Sequence, residues 1–186
     1  MTVLPVDALV IIDVQAGHVS GAHSVPDARQ LVETVSGLLA AARESGALIV
    51  HVQNDGDAGQ VDAPGAAGWE LHFAPYEGEP VIRKEYDDAF RETSLGELLT
   101  ERGVKSLAVC GLMSEMCVSA TARTALDRGY RVVLPHDAHA TTGVPATPGL
   151  GEAIPAEVVS RVAEWALGDQ AEIVPHAKTV VFTNHA

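Results

Sequence analysis

Six short runs rich in Val, Ile, Leu and Ala, set between longer amphipathic stretches, restrict the fold of this chain more than any other feature. They are residues 8–13 (ALVIID), 48–53 (LIVHVQ), 80–84 (PVIRK), 106–110 (SLAVC), 131–135 (RVVLP) and 171–174 (AEIV). Each is too short for a stable helix, and most are apolar on successive residues, as strands buried on both faces are. Helical patterns lie between them. Residues 28–45 bring Leu31, Val35, Leu38, Leu39 and Ala42 to one face and stop at Gly46, a helix-ending glycine. Further helices are read over 95–102, with Ser94 as cap and Glu97 at the capping-box position, over 116–128 with Gly129 as stop, and over 155–167. The alternation predicts one α/β domain over residues 1–186. Its layers are α/β/α, around a six-stranded, mainly parallel sheet of Rossmann-like type with right-handed crossovers. Aromatics are only 4% of the chain while hydrophobic residues are 47%, so the core is built from Ala, Val, Leu and Ile.

Charge and cysteine content exclude several function classes. The formal net charge is −13, which repels a phosphate backbone, so no nucleic-acid partner is expected. The charge suits a cationic substrate and serves solubility equally well. With only Cys110 and Cys117 there is no disulfide framework, and the chain reads as cytoplasmic. Residues 1–6 have neither the basic start nor the apolar run of a targeting signal. No apolar run approaches the ~18 residues of a membrane span.

In parallel α/β sheets, sites lie beyond the carboxyl ends of the strands. That rule picks out Asp13 after the first strand, Lys84 after the third and Cys117 in the helix start after the fourth. Alone, each has an ordinary reading: turn residue, solvated lysine, buried thiol. Cys110, inside its strand, keeps the last of these. Together, the three are the parts of an acyl-transfer site. A cysteine in the first turn of a helix faces unpaired N–H groups and the positive dipole end, which favour thiolate, as does a nearby ammonium. A carboxylate can take the thiol proton and later pass it to a leaving amine. The glycine-led turn GLMSEMC, residues 111–117, can aim backbone N–H groups at one point as an oxyanion hole, commonly worth ~3–4 kcal/mol per donor.

These residues resemble the isochorismatase-like cysteine hydrolases across nearly the whole chain. The resemblance is carried by Asp13 and Gln15, by Lys84, by VCG at 109–111, by MCVSATAR at 116–123 with Ala125, and by Asp137 and Ala138. It implies an isochorismatase-like hydrolase fold and a catalytic triad of Asp13, Lys84 and Cys117. It also implies a cis Leu112–Met113 peptide, with the Met113 and Cys117 amides facing the oxyanion, and a homodimer or homotetramer. Family members that cleave a vinyl ether lack the cysteine, so Cys117 points to amide, ureido or carbamoyl chemistry. Nicotinamidases in the family carry an Asp-x-His and a further His for a metal. Here the corresponding stretch is HVQNDGD at 51–57, so no metal and no cofactor are expected. The overall sequence is similar to a member that opens a lactam in a cationic antibiotic. A small-molecule amide is therefore the expected substrate. The alternatives are a ureido, carbamoyl or nicotinamide-like amide, or a non-catalytic binding protein on the same fold.

Several residues are candidates for lining the pocket. By the resemblance, Gln15 supports the aspartate or lines the pocket. His18 is placed to close its wall. Trp69 and His72 lie in the long Gly/Pro-rich stretch 54–80, whose length marks a functional or mobile loop. Glu115 divides between complementing a helix start and recognising a cationic group. His139, Thr141 and Thr142 follow the fifth strand and can face the site. Asp55 and Asp57 read as solvated turn residues, and His51 and His176 as structural.

Overall fold

The computed structural model describes residues 4–184. Residues 1–3, part of the stretch read for a targeting signal, lie outside the described residues. The central strand β1 (Ala8–Ile12) is buried throughout and pairs in parallel with β2 (Leu48–Asn54) on one side and β4 (Ser106–Leu112) on the other. Strand β3 (Val81–Lys84) lies beyond β2, while β5 (Arg131–Pro135) and β7 (Glu172–Val174) follow β4 in the order β3-β2-β1-β4-β5-β7. All these pairings are parallel. A seventh strand, β6 (His139–Ala140), pairs with Gly111 and Leu112 at the end of β4. The expected count of six missed it because two residues carry no readable period.

The alternation of side chains across a strand sorts the core into two halves. Leu9 and Ile11 face one cluster with Leu31, Val35, Leu38, Leu39 and Ala42 of α2 (Ala28–Ser45). Ala8, Val10 and Ile12 face the other, with Leu95 and Leu99 of α3 (Leu95–Glu101) and Ala122 and Ala125 of α4 (Ser119–Asp127). Helices on both faces make the three layers. Each fully buried Leu contributes about 1.5–3 kcal/mol relative to exposure. Helix α2 ends as its sequence requires, at Gly46 in the left-handed region (φ 73°). Ser94 makes no side-chain cap; the hydroxyl of Thr93 accepts the Leu95 N–H instead at 3.2 Å. Two further helices complete the set: the short α1 (Ala16–Val19) after β1 and α5 (Ala156–Ala166) before β7.

Strand β1 leads to β2 and β3 on one side, and β4 leads to β5 and β7 on the other. The carboxyl ends of β1 and β4 therefore flank the topological switch point, where α/β folds bind ligands. Among the described residues no helix is long and apolar enough to cross a membrane.

Candidate active site

The switch point holds a buried cluster. Asp13, one residue past β1, sits in the left-handed region (φ 51°), which aspartate tolerates better than most side chains. Its exposure is 3%, and that of Lys84, at the end of β3, is 2%. The Lys84 Nζ lies 2.8 Å from Asp13 Oδ2 and donates to Cys117 Sγ at 3.3 Å and to Asn54 Oδ1 at 3.0 Å. One ammonium thus bridges the carboxylate and the thiol. The other oxygen, Asp13 Oδ1, is buried and, among the described residues, has no hydrogen-bond partner.

Cys117 arrives on a π-type turn, Ser114–Val118, that precedes α4 and breaks at Met116 (φ −105°, ψ −106°). The expected helix start at 116 is therefore this wider turn. The peptide Leu112–Met113 before it is cis. Gly111 has φ 120°, and a Cβ there would stand 1.9 Å from the Ile12 carbonyl oxygen. Only glycine lets β4 pass β1 at this point.

Electrostatics corrects one expectation. The helix start and the ammonium were expected to favour thiolate, yet the Cys117 thiol is pushed up, first by burial and next by the Asp13 charge, with Lys84 opposing. Burial also raises Asp13 above the usual carboxylate range, against the pull of Lys84. Burial alone would depress Lys84, but Asp13 and Cys117 lift it above the ordinary lysine value. The resting thiol therefore keeps its proton, and a raised carboxylate is the group at hand to receive it. Cys110 is wholly buried and pushed up by that burial, an inert core thiol as its place in the strand suggests.

The remaining candidates take up varied places. Gln15 is fully buried, and its side chain donates to the Asn54 and Trp69 carbonyls and accepts the Asn54 N–H. It fixes Asn54, which in turn holds Lys84. His18 pairs with Asp62 at 3.4 Å, and its charge acts to lower Asp13. Trp69 donates Nε1–H to Asp55 at 2.9 Å. His72 is exposed, edge-on to Phe73. Glu115 is exposed and accepts the Thr141 hydroxyl at 2.9 Å, while Thr142 is exposed. Asp57 is exposed, but Asp55 is not the solvated turn residue expected, since Arg83 binds it at 2.6 Å. His51 is buried against Glu79 at 2.9 Å, and His176 meets Asp137 at 3.2 Å.

His139 does not open toward the cluster as expected. It is buried, with Nδ1 2.8 Å from the Ser114 hydroxyl and Nε2 3.1 Å from Glu164 Oε1. This chain ties the first residue of the π-type turn to α5. Three residues escaped the sequence reading: Asn54 on Lys84, Ser114 under the turn, and Asp87, whose Oδ1 is 3.7 Å from Cys117 Sγ. Asp87 follows Lys84 by three residues in a run of polar side chains, and nothing in that run separates it from Asp88. Among the described residues, no three or more His, Cys, Asp or Glu side chains are grouped to hold a metal ion.

Residues 7–147 match the isochorismatase domain family. Two streptothricin hydrolases of Streptomyces noursei are 59% and 58% identical, over 96% and 95% of this chain. The chain spans 71% of the length of the first and 65% of the second. A solved isochorismatase structure from Pseudomonas putida KT2440 superposes with a TM-score of 0.84 at 36% identity, covering 94% of this chain and 90% of that one.

Proposed function

From a chain that belongs to the isochorismatase family, we propose a cysteine-dependent hydrolase that opens a small cyclic amide, a lactam of the streptothricin type, through a thioester on Cys117. Its relatives, two streptothricin hydrolases and a maleamate amidohydrolase of Pseudomonas putida at 31% identity, support a hydrolase of carbon–nitrogen bonds other than peptide bonds. The observation that carries the cysteine mechanism is the bridge of Lys84 Nζ between Asp13 (2.8 Å) and Cys117 Sγ (3.3 Å).

The chemistry runs in four steps. Asp13 takes the Cys117 proton as sulfur closes on the carbonyl carbon, so charge moves inside the cluster and no thiolate need stand waiting. The oxyanion then lies against the backbone N–H groups of Met113 and Cys117. Asp13 returns the proton to the leaving nitrogen as the C–N bond breaks. Water, deprotonated by Asp13, cleaves the thioester and restores the thiol. Lys84 keeps its charge throughout, balancing carboxylate, thiolate or both.

A lactam leaves a signature in this scheme, because the freed amine stays tethered to the acyl group. Intact mass spectrometry during turnover should show Cys117 heavier by the full mass of the substrate. A primary amide or ureido substrate would instead give an adduct lighter by ammonia or the departing amine. Cys117→Ala should form no adduct and retain no turnover while folding normally. Turnover by Cys117→Ala would overturn the mechanism.

A further inference from the structure

Resting on Cys117 as the reacting atom, we propose that Asp87 is a specificity-determining residue that selects substrates with a positive charge close to the bond being cleaved. Its carboxylate lies 3.7 Å from the sulfur and is exposed. Among the described residues, no lysine, arginine or histidine pairs with it. The cations nearest in sequence are engaged elsewhere: Lys84 bridges Asp13 at 2.8 Å and Cys117 at 3.3 Å. Arg83 is paired with Asp55 at 2.6 Å. Arg91 lies over the Tyr86 ring and 3.8 Å from Glu92.

Asp88, the adjacent carboxylate, provides the contrast. It accepts the Phe90 N–H at 2.9 Å and the Thr124 hydroxyl at 2.8 Å, so it is spent on holding the chain to α4. Beyond accepting the Cys117 thiol at 3.7 Å, the Asp87 side chain has no such duty, although its own carbonyl accepts the Thr121 hydroxyl at 3.5 Å, which fixes the residue over the helix. A carboxylate held in place beside a nucleophile, with its charge unspent, is a receptor for a cation.

The surroundings fit a cationic ligand with an apolar body. Asp87, Glu115 and Met116 line one groove of about 660 Å³, walled by Val144, Ile154 and Val162. Arg123 also lines it, with its guanidinium donating to the Ala166 carbonyl at 2.9 Å. An ammonium or guanidinium bonded to Asp87 at the usual 2.7–2.9 Å lies within about 7 Å of the sulfur. That places the charge within a few bonds of the scissile carbonyl.

Three methanethiosulfonates that transfer a thioalkyl group to sulfur test this without a known substrate: the cationic trimethylammonioethyl, the neutral methyl and the anionic sulfonatoethyl reagent. Mass spectrometry reads the rate of Cys117 modification, with buried Cys110 as the internal reference. The native protein should react fastest with the cation. In Asp87→Asn the cation-to-anion rate ratio, each rate taken relative to that of the neutral reagent, should fall roughly tenfold, and Asp87→Glu should restore the preference. Asp57→Asn, exposed in the stretch after β2, should leave the ratio alone. A ratio unmoved by Asp87→Asn, or moved as much by Asp57→Asn, would overturn the assignment while leaving Cys117 as nucleophile. No modification by any of the three would overturn the selectivity assignment, while the substrate adduct on Cys117 tests the nucleophile separately.

Discussion

Lys84 makes three polar contacts from one buried nitrogen, and its neighbours divide the consequences. Asn54 accepts one of them and also donates to Asp62 at 2.8 Å. Asn54→Ala should cost about 1–3 kcal/mol of stability through the partner lost to the Lys84 donor and to the Asp62 acceptor and lower kcat more than it raises KM. Steady-state kinetics and thermal melts would separate the two effects. The raised Asp13 predicts a pH effect with a definite sign. The base form is lost as pH falls, and a raised carboxylate is lost sooner. The acid limb of kcat/KM should therefore lie above the range of an exposed aspartate. A limb at the ordinary position would count against Asp13 as the base. Asp13, Lys84 and Cys117 were legible because the ends of buried strands are few and those positions carry chemically distinctive side chains. Asn54 and Asp87 were not, since an amide in a strand and one aspartate of two carry no signal until the chain is folded. The elevated thiol was equally hidden, because burial around Sγ is set by residues from β1, β3 and the turn together.

At the level of elements, the apolar runs gave strands at nearly their observed bounds, whereas β6 and the π-type turn left no periodic trace. The stretch after β2 was read as a functional or mobile loop, and the structure stitches it down. Ala16 N–H donates to Glu70, Gly17 N–H to Gly68 and His72 N–H to Val14, each at 2.8–2.9 Å. Such backbone bonds between loops have no repeat for a sequence reading to detect. The turn itself is underpinned by Ser114, His139 and Glu164, with His136 2.6 Å and Arg161 3.1 Å from the same carboxylate. Burial works against the charge of Glu164, but its hydrogen bonds from His139 and His136 win and hold it at about 2. A depressed carboxylate stabilises the fold above the pH where unfolded glutamates titrate, about 4.3. That contribution fades as pH falls toward 2. Glu164→Gln should lower Tm at neutral pH, by about 2–4 °C for each kcal/mol lost. Its Tm should then fall less steeply than the native one in acid. Parallel slopes would exclude Glu164 as an acid-sensitive support of the turn.

Across the whole molecule, strand order decides which residues meet. Asp13, Lys84 and Cys117 are separated by 71 and 33 positions, and the parallel sheet collects them at one edge. The α/β class followed directly from the alternation of runs, but the order of strands rests on side-to-side pairing that local pattern does not encode. The charge of −13 is another property of the whole. Like charges spread over one small body repel, and salt screens them over about 8 Å at 0.15 M. Raising NaCl from about 10 mM to 0.15 M at neutral pH should raise Tm, and a flat profile would show that the surface charges are already locally balanced. Gly111 and Cys117, six residues apart, belong to opposite kinds of position. In a saturation library scored twice, once for cellular abundance and once for turnover, every replacement of Gly111 should fail both screens, because the space a side chain needs is occupied by the neighbouring strand. Replacements of Cys117 by small residues should pass the first and fail the second. The distance between those two scores, plotted along the chain, would trace the boundary between what this sequence keeps in order to exist and what it keeps in order to act.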